Sequence, residues 1–350
     1  MIKKKIPVTI ICGFLGSGKT TLLNHILQEN QNKKIAVIVN EFGEINVDSK
    51  LVKHTSEKMI ELSNGCICCT LRGDLIEGVA DLISNHHVDQ ILIESTGIGE
   101  PVPIAQAFYV HPELLALNPE LPSIQNNVYV DAIITVVDSA QFLEMYNRNS
   151  IIPEDQFNRG YGQLLAEQIE GADMIILNKR DVATPEQMVT LSELFMSMNP
   201  RVKIIEAVQG KVNVTDIINT AIFDIEVAEQ SSLWIAELEK KGASEADEYG
   251  IETFAYTSAR RFNESRLMGL LDQGLPDNIL RSKGIVALEG TDDAFLWNHA
   301  GKFLEFSKIG RFASKVEVRT EIVFIGQRLD KRMLNQFFQQ ALCMEDHLLF

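Results

Sequence analysis

Gly13-Phe14-Leu15-Gly16-Ser17-Gly18-Lys19-Thr20 constrains this chain more than any other stretch. An apolar run at residues 7–12 enters it and a helical pattern at residues 19–29 leaves it. The motif G-x-x-x-x-G-K-[ST] therefore stands in the strand–loop–helix setting it requires. Glycines let successive backbone N–H groups converge on phosphate oxygens, and the helix N-terminus adds the positive end of its dipole. Lys19 is expected to reach the β and γ phosphates and the Thr20 hydroxyl to bind Mg2+, with Gly13, Gly16, Ser17, Gly18 and Thr21 completing the cradle. Net charge sharpens the point. With 48 acids against 32 bases the chain carries −16, which argues against the basic face that nucleic acid or an anionic membrane demands. Phosphate must be held by local geometry.

Apolar runs suited to buried parallel strands recur at residues 35–40, 90–94, 128–137, 173–178 and 202–206. Helical stretches at 74–86, 161–171 and 185–198 alternate with them, and a short extended piece lies at 58–62. The alternation predicts an α/β fold: a doubly wound, mostly parallel sheet of P-loop NTPase type, with chemistry gathered at the strands' carboxyl ends. A length of 350 residues favours two domains. Residues 110–127, with three prolines, read as a surface insertion, and an acidic stretch at 229–249 reads as a linker between a domain at 1–228 and one at 250–350. The second domain reads as a smaller α+β unit, with strands at 251–259 and 320–326 and a closing helix at 330–342. Further strand pieces are placed at 284–288 and 302–306. Lys3, Lys4 and Lys5 before an apolar run imitate a signal peptide, but Pro7 and Thr9 interrupt the run and it passes directly into the glycine-rich loop. A buried first strand is the better reading. No run approaches the ~20 apolar residues of a membrane-spanning helix, and the expected location is cytoplasmic.

Two further motifs choose the nucleotide. Asn178-Lys179-Arg180-Asp181 follows an apolar strand, where a base pocket belongs. Asp181 can accept hydrogen bonds from the ring N–H and exocyclic amine of guanine, a donor pair adenine lacks. The Lys179 stem can cover the base and Asn178 can tie the loop together. Glu94-Ser95-Thr96-Gly97 also ends a strand. Glu94 would hold Mg2+, directly or through water, and the Gly97 N–H would sense the γ phosphate. At the end of the second strand, Glu41 and Glu44 occupy the place of a first switch, where Glu41 could meet the γ-phosphate side, a metal or both.

Of five cysteines, Cys66, Cys68 and Cys69 fall within four positions, a poor disulfide framework. Three thiolates can hold one tetrahedral soft ion and leave its fourth position open, an arrangement suited to exchange. Zinc is the expected metal, while cobalt and nickel also accept thiolates. Cys12, inside the first strand, reads as a small core residue.

Together and in this order, GFLGSGKTT (13–21), VNEFGE (39–44), NGCICC (64–69), ESTGIGEP (94–101) and NKRD (178–181) resemble the CobW/HypB/UreG family of P-loop GTPases, and more narrowly its CobW/YjiA-type metallochaperone branch. EYGIETFAY (248–256) and EIVFIG (321–326) extend the resemblance into the second domain. The family's glutamate in the third guanine-nucleotide motif falls on Glu94. The resemblance implies GTP hydrolysis coupled to delivery of zinc to a client metalloprotein, with GTP ordering the switch and the C-x-C-C site and GDP loosening both. A GTP-regulated metal sensor or interaction module, a cobalt chaperone of the cobalamin-assembly or nitrile hydratase activator type, and a GTPase with a structural zinc are the competing readings. Zinc affinity with GTP against GDP separates them.

Overall fold

The computed structural model describes residues 5–30, 33–40, 59–62, 70–85, 88–109, 124, 126–153, 159–229, 251–312 and 318–343. Glu41, Glu44, Cys66, Cys68, Cys69, residues 230–249 of the acidic stretch and residue 250 lie outside them. The chain divides into two compact units, Met1–Leu143 with Leu164–Ser231, and Glu144–Gln163 with Ser232–Phe350.

In the first unit, β1 (Ile6–Cys12), β2 (Ile35–Asn40), β3 (Met59–Leu62), β4 (Gln90–Glu94), β5 (Val128–Asp138), β6 (Met174–Asn178) and β7 (Lys203–Glu206) form one sheet. Its order is β3-β2-β4-β1-β5-β6-β7 and every neighbouring pair is parallel. A parallel sheet is covered on both faces, which is why these strands read as apolar runs. Residues of β1 alternate accordingly. Ile11 shares a core with Leu22, Leu23 and Ile26 of α1 (Lys19–Glu29). Val8, Ile10 and Cys12 share the opposite one with Leu75, Val79 and Leu82 of α2 (Thr70–Asn85) and Ile104 of α3 (Pro101–Gln106). Strands β2 to β4 lie on one side of β1 and β5 to β7 on the other, so the carboxyl end of β1 is the topological switch point.

The unit also contains α6 (Pro185–Met198), capped by a reciprocal Thr184–Gln187 pair, and α7 (Ile225–Glu229), while α4 (Phe142–Tyr146) and α5 (Tyr161–Glu170) each begin in one unit and end in the other. In the amino-terminal half of the sheet, buried Asp131 accepts from Thr9 Oγ1 at 3.1 Å and from the Asn219 and Ala221 N–H groups at 2.7 and 2.6 Å. Those bonds hold Asn219 and Ala221 at φ 56° and 51°, a region L side chains rarely adopt.

In the second unit, β8 (Ile251–Ser258), β9 (Ile279–Ala287), β10 (Asp293–Ala300), β11 (Phe303–Arg311) and β12 (Thr320–Gln327) form a sheet in the order β11-β10-β9-β12-β8. All its pairs are antiparallel. With α8 (Glu264–Leu271) and α9 (Lys331–Gln339) it encloses Tyr256, Phe262, Trp297, Phe324 and Phe338. The strand pieces expected at 284–288 and 302–306 are parts of β9 and β11. β10 was not foreseen, because Asn298 and His299 break its apolar pattern, although both are buried.

Candidate functional site

The predicted residues that the structure describes stand at one edge of the parallel sheet, because a parallel sheet ends all its strands on the same side. Gly13 follows β1, Glu94 ends β4, Asp138 ends β5 and Asn178 ends β6. Between β1 and α1 the chain turns through Gly13, Gly16, Ser17 and Gly18. Gly18 has φ 105°, and a Cβ there would run into the Asn178 side-chain amide, so the position admits no side chain.

Lys19 begins α1 and is only 7% exposed. Its ammonium donates to the Gly13 carbonyl at 2.9 Å and the Phe14 carbonyl at 3.2 Å, which holds it within the loop. Thr20 Oγ1 donates to Glu94 Oε1 at 2.8 Å, and Glu94 is 2% exposed. A hydroxyl and a carboxylate beside a glycine-rich loop form a hard-oxygen donor set that fits Mg2+. Thr21, one residue further along α1, faces solvent. The chain after Glu94 is buried through Gly99. Gly97 lies against the phosphate loop so closely that a Cβ would fall 2.5 Å from Leu15 Cδ2 and 2.8 Å from Leu15 N.

Asn178 connects two loops. Its Nδ2 donates to the Ser17 carbonyl and its Oδ1 accepts the Gly210 N–H, both at 2.9 Å. Lys179 adopts φ 59°, and its ammonium forms a 2.7 Å ion pair with Asp138 Oδ2. Asp138 also accepts the Ala140 and Gln141 N–H groups, so the carboxylate that fixes Lys179 is itself fixed. Asp181 is exposed on the same turn.

Cys12 takes no part in this site. Burial pushes its thiol up to about 12, outweighing the opposing pull of the Ser95 hydrogen bond and the Lys19 charge, so it stays an inert thiol. Among the described residues no group of three His, Cys, Asp or Glu could hold a metal ion, and no helix is long and apolar enough to cross a membrane.

Three contributions escaped the sequence reading. Asp138 could have been found as the acid ending a strand beside the N-K-R-D strand. Gln209 and Gly210, at φ 52° and 64°, are a left-handed pair after β7 that the glycine alone hints at. Gln168, buried in α5, gave no signal, since a glutamine within a helical pattern reads as surface.

A family model for the CobW/HypB/UreG nucleotide-binding domain matches residues 7–206, and one for the cobalamin synthesis protein CobW C-terminal domain matches residues 251–342. The zinc-regulated GTPase metalloprotein activator 1 of Dictyostelium discoideum is 36% identical over 320 residues, covering 85% of this chain and 66% of that protein, so the chain spans just under two thirds of that relative. The zinc chaperone CobW of Pseudomonas aeruginosa is 30% identical over 367 aligned positions, covering 97% and 92%. The zinc chaperone YjiA of Escherichia coli is 31% identical over 344, covering 95% and 98%. By both matches, the chain belongs to the CobW/HypB/UreG family, carrying its nucleotide-binding domain followed by a CobW C-terminal domain.

Proposed function

We propose that this chain is a cytoplasmic GTP-hydrolysing metallochaperone, which carries zinc as cargo on Cys66, Cys68 and Cys69 and yields it to a client metalloprotein when GTP is hydrolysed. The single observation carrying the nucleotide half is the 2.8 Å bond from Thr20 to buried Glu94, which joins the phosphate loop to the strand-end carboxylate. Those two side chains would hold Mg2+, which supplies neutralising charge for the β and γ phosphate oxygens. Lys19 offsets charge building on the β–γ bridge, while the N–H groups of Gly13, Gly16, Ser17, Gly18 and Thr21 cradle the phosphates. The Gly97 N–H meets the γ phosphate. Guanine is read by Asp181, with the Lys179 stem against the base and Asn178 bracing the loop.

The metal half rests on the three-thiol cluster and on relatives that carry zinc in their names. Glu41 follows β2 directly in sequence, which suits a switch that sees nucleotide and metal alike. The domain at 1–228 would perform the hydrolysis, the stretch 229–249 would link, and 250–350 would serve the client. Reduced thiols for metal transfer suit the cytoplasm.

The test is a zinc competition titration against a chromogenic chelator, run with GDP and with a non-hydrolysable GTP analogue. Coupling of ~1–3 kcal/mol makes zinc bind about 5- to 150-fold tighter in the GTP form, and zinc tightens GTP by the same factor. Replacing Cys66, Cys68 and Cys69 by Ser erases the difference and spares GTP binding. Equal zinc affinity in the two states sinks the chaperone reading and leaves a GTPase with a metal site.

A further inference from the structure

The segment between Glu94 and α3 is a loop, yet residues 95–99 are all buried. Buried backbone polar groups need partners. Ser95 N–H donates across the sheet to the Ile11 carbonyl at 2.9 Å, and the Thr96 carbonyl is served within the loop, by Gly99 N–H at 3.0 Å and Ser95 Oγ at 3.2 Å. The carbonyls of Gly97 and Gly99 are served from elsewhere in the sequence. Gln168 Nε2 donates to both, at 3.3 and 3.1 Å, from a side chain only 1% exposed. The helix turn bearing Gln168 is anchored in turn, since Thr135 Oγ1 on β5 donates to the Gln168 carbonyl at 2.8 Å.

We propose that Gln168 is a positioning residue for GTP hydrolysis, clamping the Gly97–Gly99 backbone so that the Gly97 N–H stays aimed at the γ phosphate. This rests on the GTPase reading above. The Gly97 N–H shares a peptide plane with the Thr96 carbonyl, and that carbonyl is held by the turn which Gly99 closes. Gln168 holds the Gly97 carbonyl inside the turn and the Gly99 carbonyl at its end, which fixes the turn, and within a fixed turn the plane cannot rotate without breaking the Gly99 N–H bond to the Thr96 carbonyl. Gly97 also touches the phosphate loop at Leu15, leaving no slack on the opposite side. A single buried amide thus sets the aim of a backbone donor it never touches.

The experiment compares wild type with Gln168→Met, which keeps length and volume but donates to neither carbonyl. We expect kcat to fall about 10- to 30-fold, the scale of two lost neutral hydrogen bonds. Preference for a non-hydrolysable GTP analogue over GDP should fall with it, while GDP affinity holds within about twofold, because GDP has no γ phosphate to meet. Thr135→Val, which loosens the helix turn but leaves the clamp, should lower the melting temperature and keep the preference. If GTP and GDP weaken together in Gln168→Met, the residue is merely structural and the inference is overturned. Unchanged kcat and preference overturn it equally. A wild type that hydrolyses no GTP removes the GTPase reading and this inference with it, an outcome distinct from both. Should Gln168→Met not fold, hydrogen exchange of wild type with the analogue bound decides. Protected amides at 96–99 support the clamp, and exchange at free-peptide rates overturns it.

Discussion

The two sheets of this chain solve different problems with the same backbone geometry. In the parallel sheet every strand ends on one side, so Cys12, Glu94, Asp138 and Asn178 bring their following loops to a common edge. In the antiparallel sheet strand ends alternate between two edges, and no such gathering occurs. Its distinguishing feature lies inside: ring centroids of Phe338 stand 4.8 Å from Tyr256, 5.7 Å from Phe262 and Trp297, and 5.6 Å from Phe324. Strand direction therefore decides where a sheet can concentrate polar groups, and the sheet without that option here invests its large side chains in packing.

The widest gap between the units should appear on removing their respective centres. Phe338→Ala deletes the ring shared by these contacts and should cost the second unit ~3–5 kcal/mol of stability, measured by denaturant unfolding followed through Trp297 fluorescence in a Trp234→Phe background. GTP turnover at low denaturant should persist, and a parallel loss of turnover would break the contrast. Lys19→Ala should do the reverse, lowering kcat by ~10²-fold or more while the Trp297 transition stays in place. Retention of more than about a tenth of wild-type kcat would refute the assignment of Lys19.

Asp181→Asn comes next. Loss of one charge-assisted acceptor, ~1.5–3 kcal/mol, should weaken GTP about 10- to 150-fold and relax its preference over ATP, read by competition binding. Equal competition by GTP and ATP in the wild type would sink the guanine reading.

The smallest expected effect has opposite signs in the two units. Burial pushes the Asp173 carboxyl up to about 6, helped by the Asp131 and Asp224 charges and opposed by the Ile133 N–H. An acid raised in the folded state contributes stability below its unfolded value, near 3.8, and loses it as pH rises through about 6. Burial pushes His299 down to about 3, with Arg281 and Lys302 adding to the shift and a Gly301 backbone bond opposing it. A base lowered in the folded state contributes stability above its unfolded value, near 6.5, and loses it as pH falls toward about 3. Between pH 7 and 5, the first unit should gain ~1 kcal/mol from Asp173 and the second should lose ~2 kcal/mol from His299. Differential scanning calorimetry at the two pH values measures the divergence, and Asp173→Asn should flatten the first trend.

Legibility from sequence followed the same division. The phosphate loop was readable because glycine spacing is imposed by phosphate geometry, and Asn178 because a four-residue motif compresses a role into fixed order. Gln168 was opaque, since it acts on Gly97 and Gly99 far along the chain, and Asp138, which acts on Lys179, left only the hint of an acid ending a strand. No local pattern encodes such a pairing. β10 was missed for a related reason. Arg281 donates to Asn298 Oδ1 at 2.6 Å and Asn298 Nδ2 donates to Glu305 at 3.1 Å, so the strand buries polar groups that its apolar periodicity could not reveal.

Asn178 also acts as a yardstick. With one end of its amide on the Ser17 carbonyl and the other on the Gly210 N–H, it pins the loop proposed to read the base at a fixed span from the loop proposed to hold the phosphates. The span is built from one short, nearly rigid side chain, so it cannot stretch to suit a guest. A ligand carrying guanine on a spacer longer or shorter than ribose could engage one end but not both. Selection would then fall on the length of the nucleotide as well as on the identity of its base.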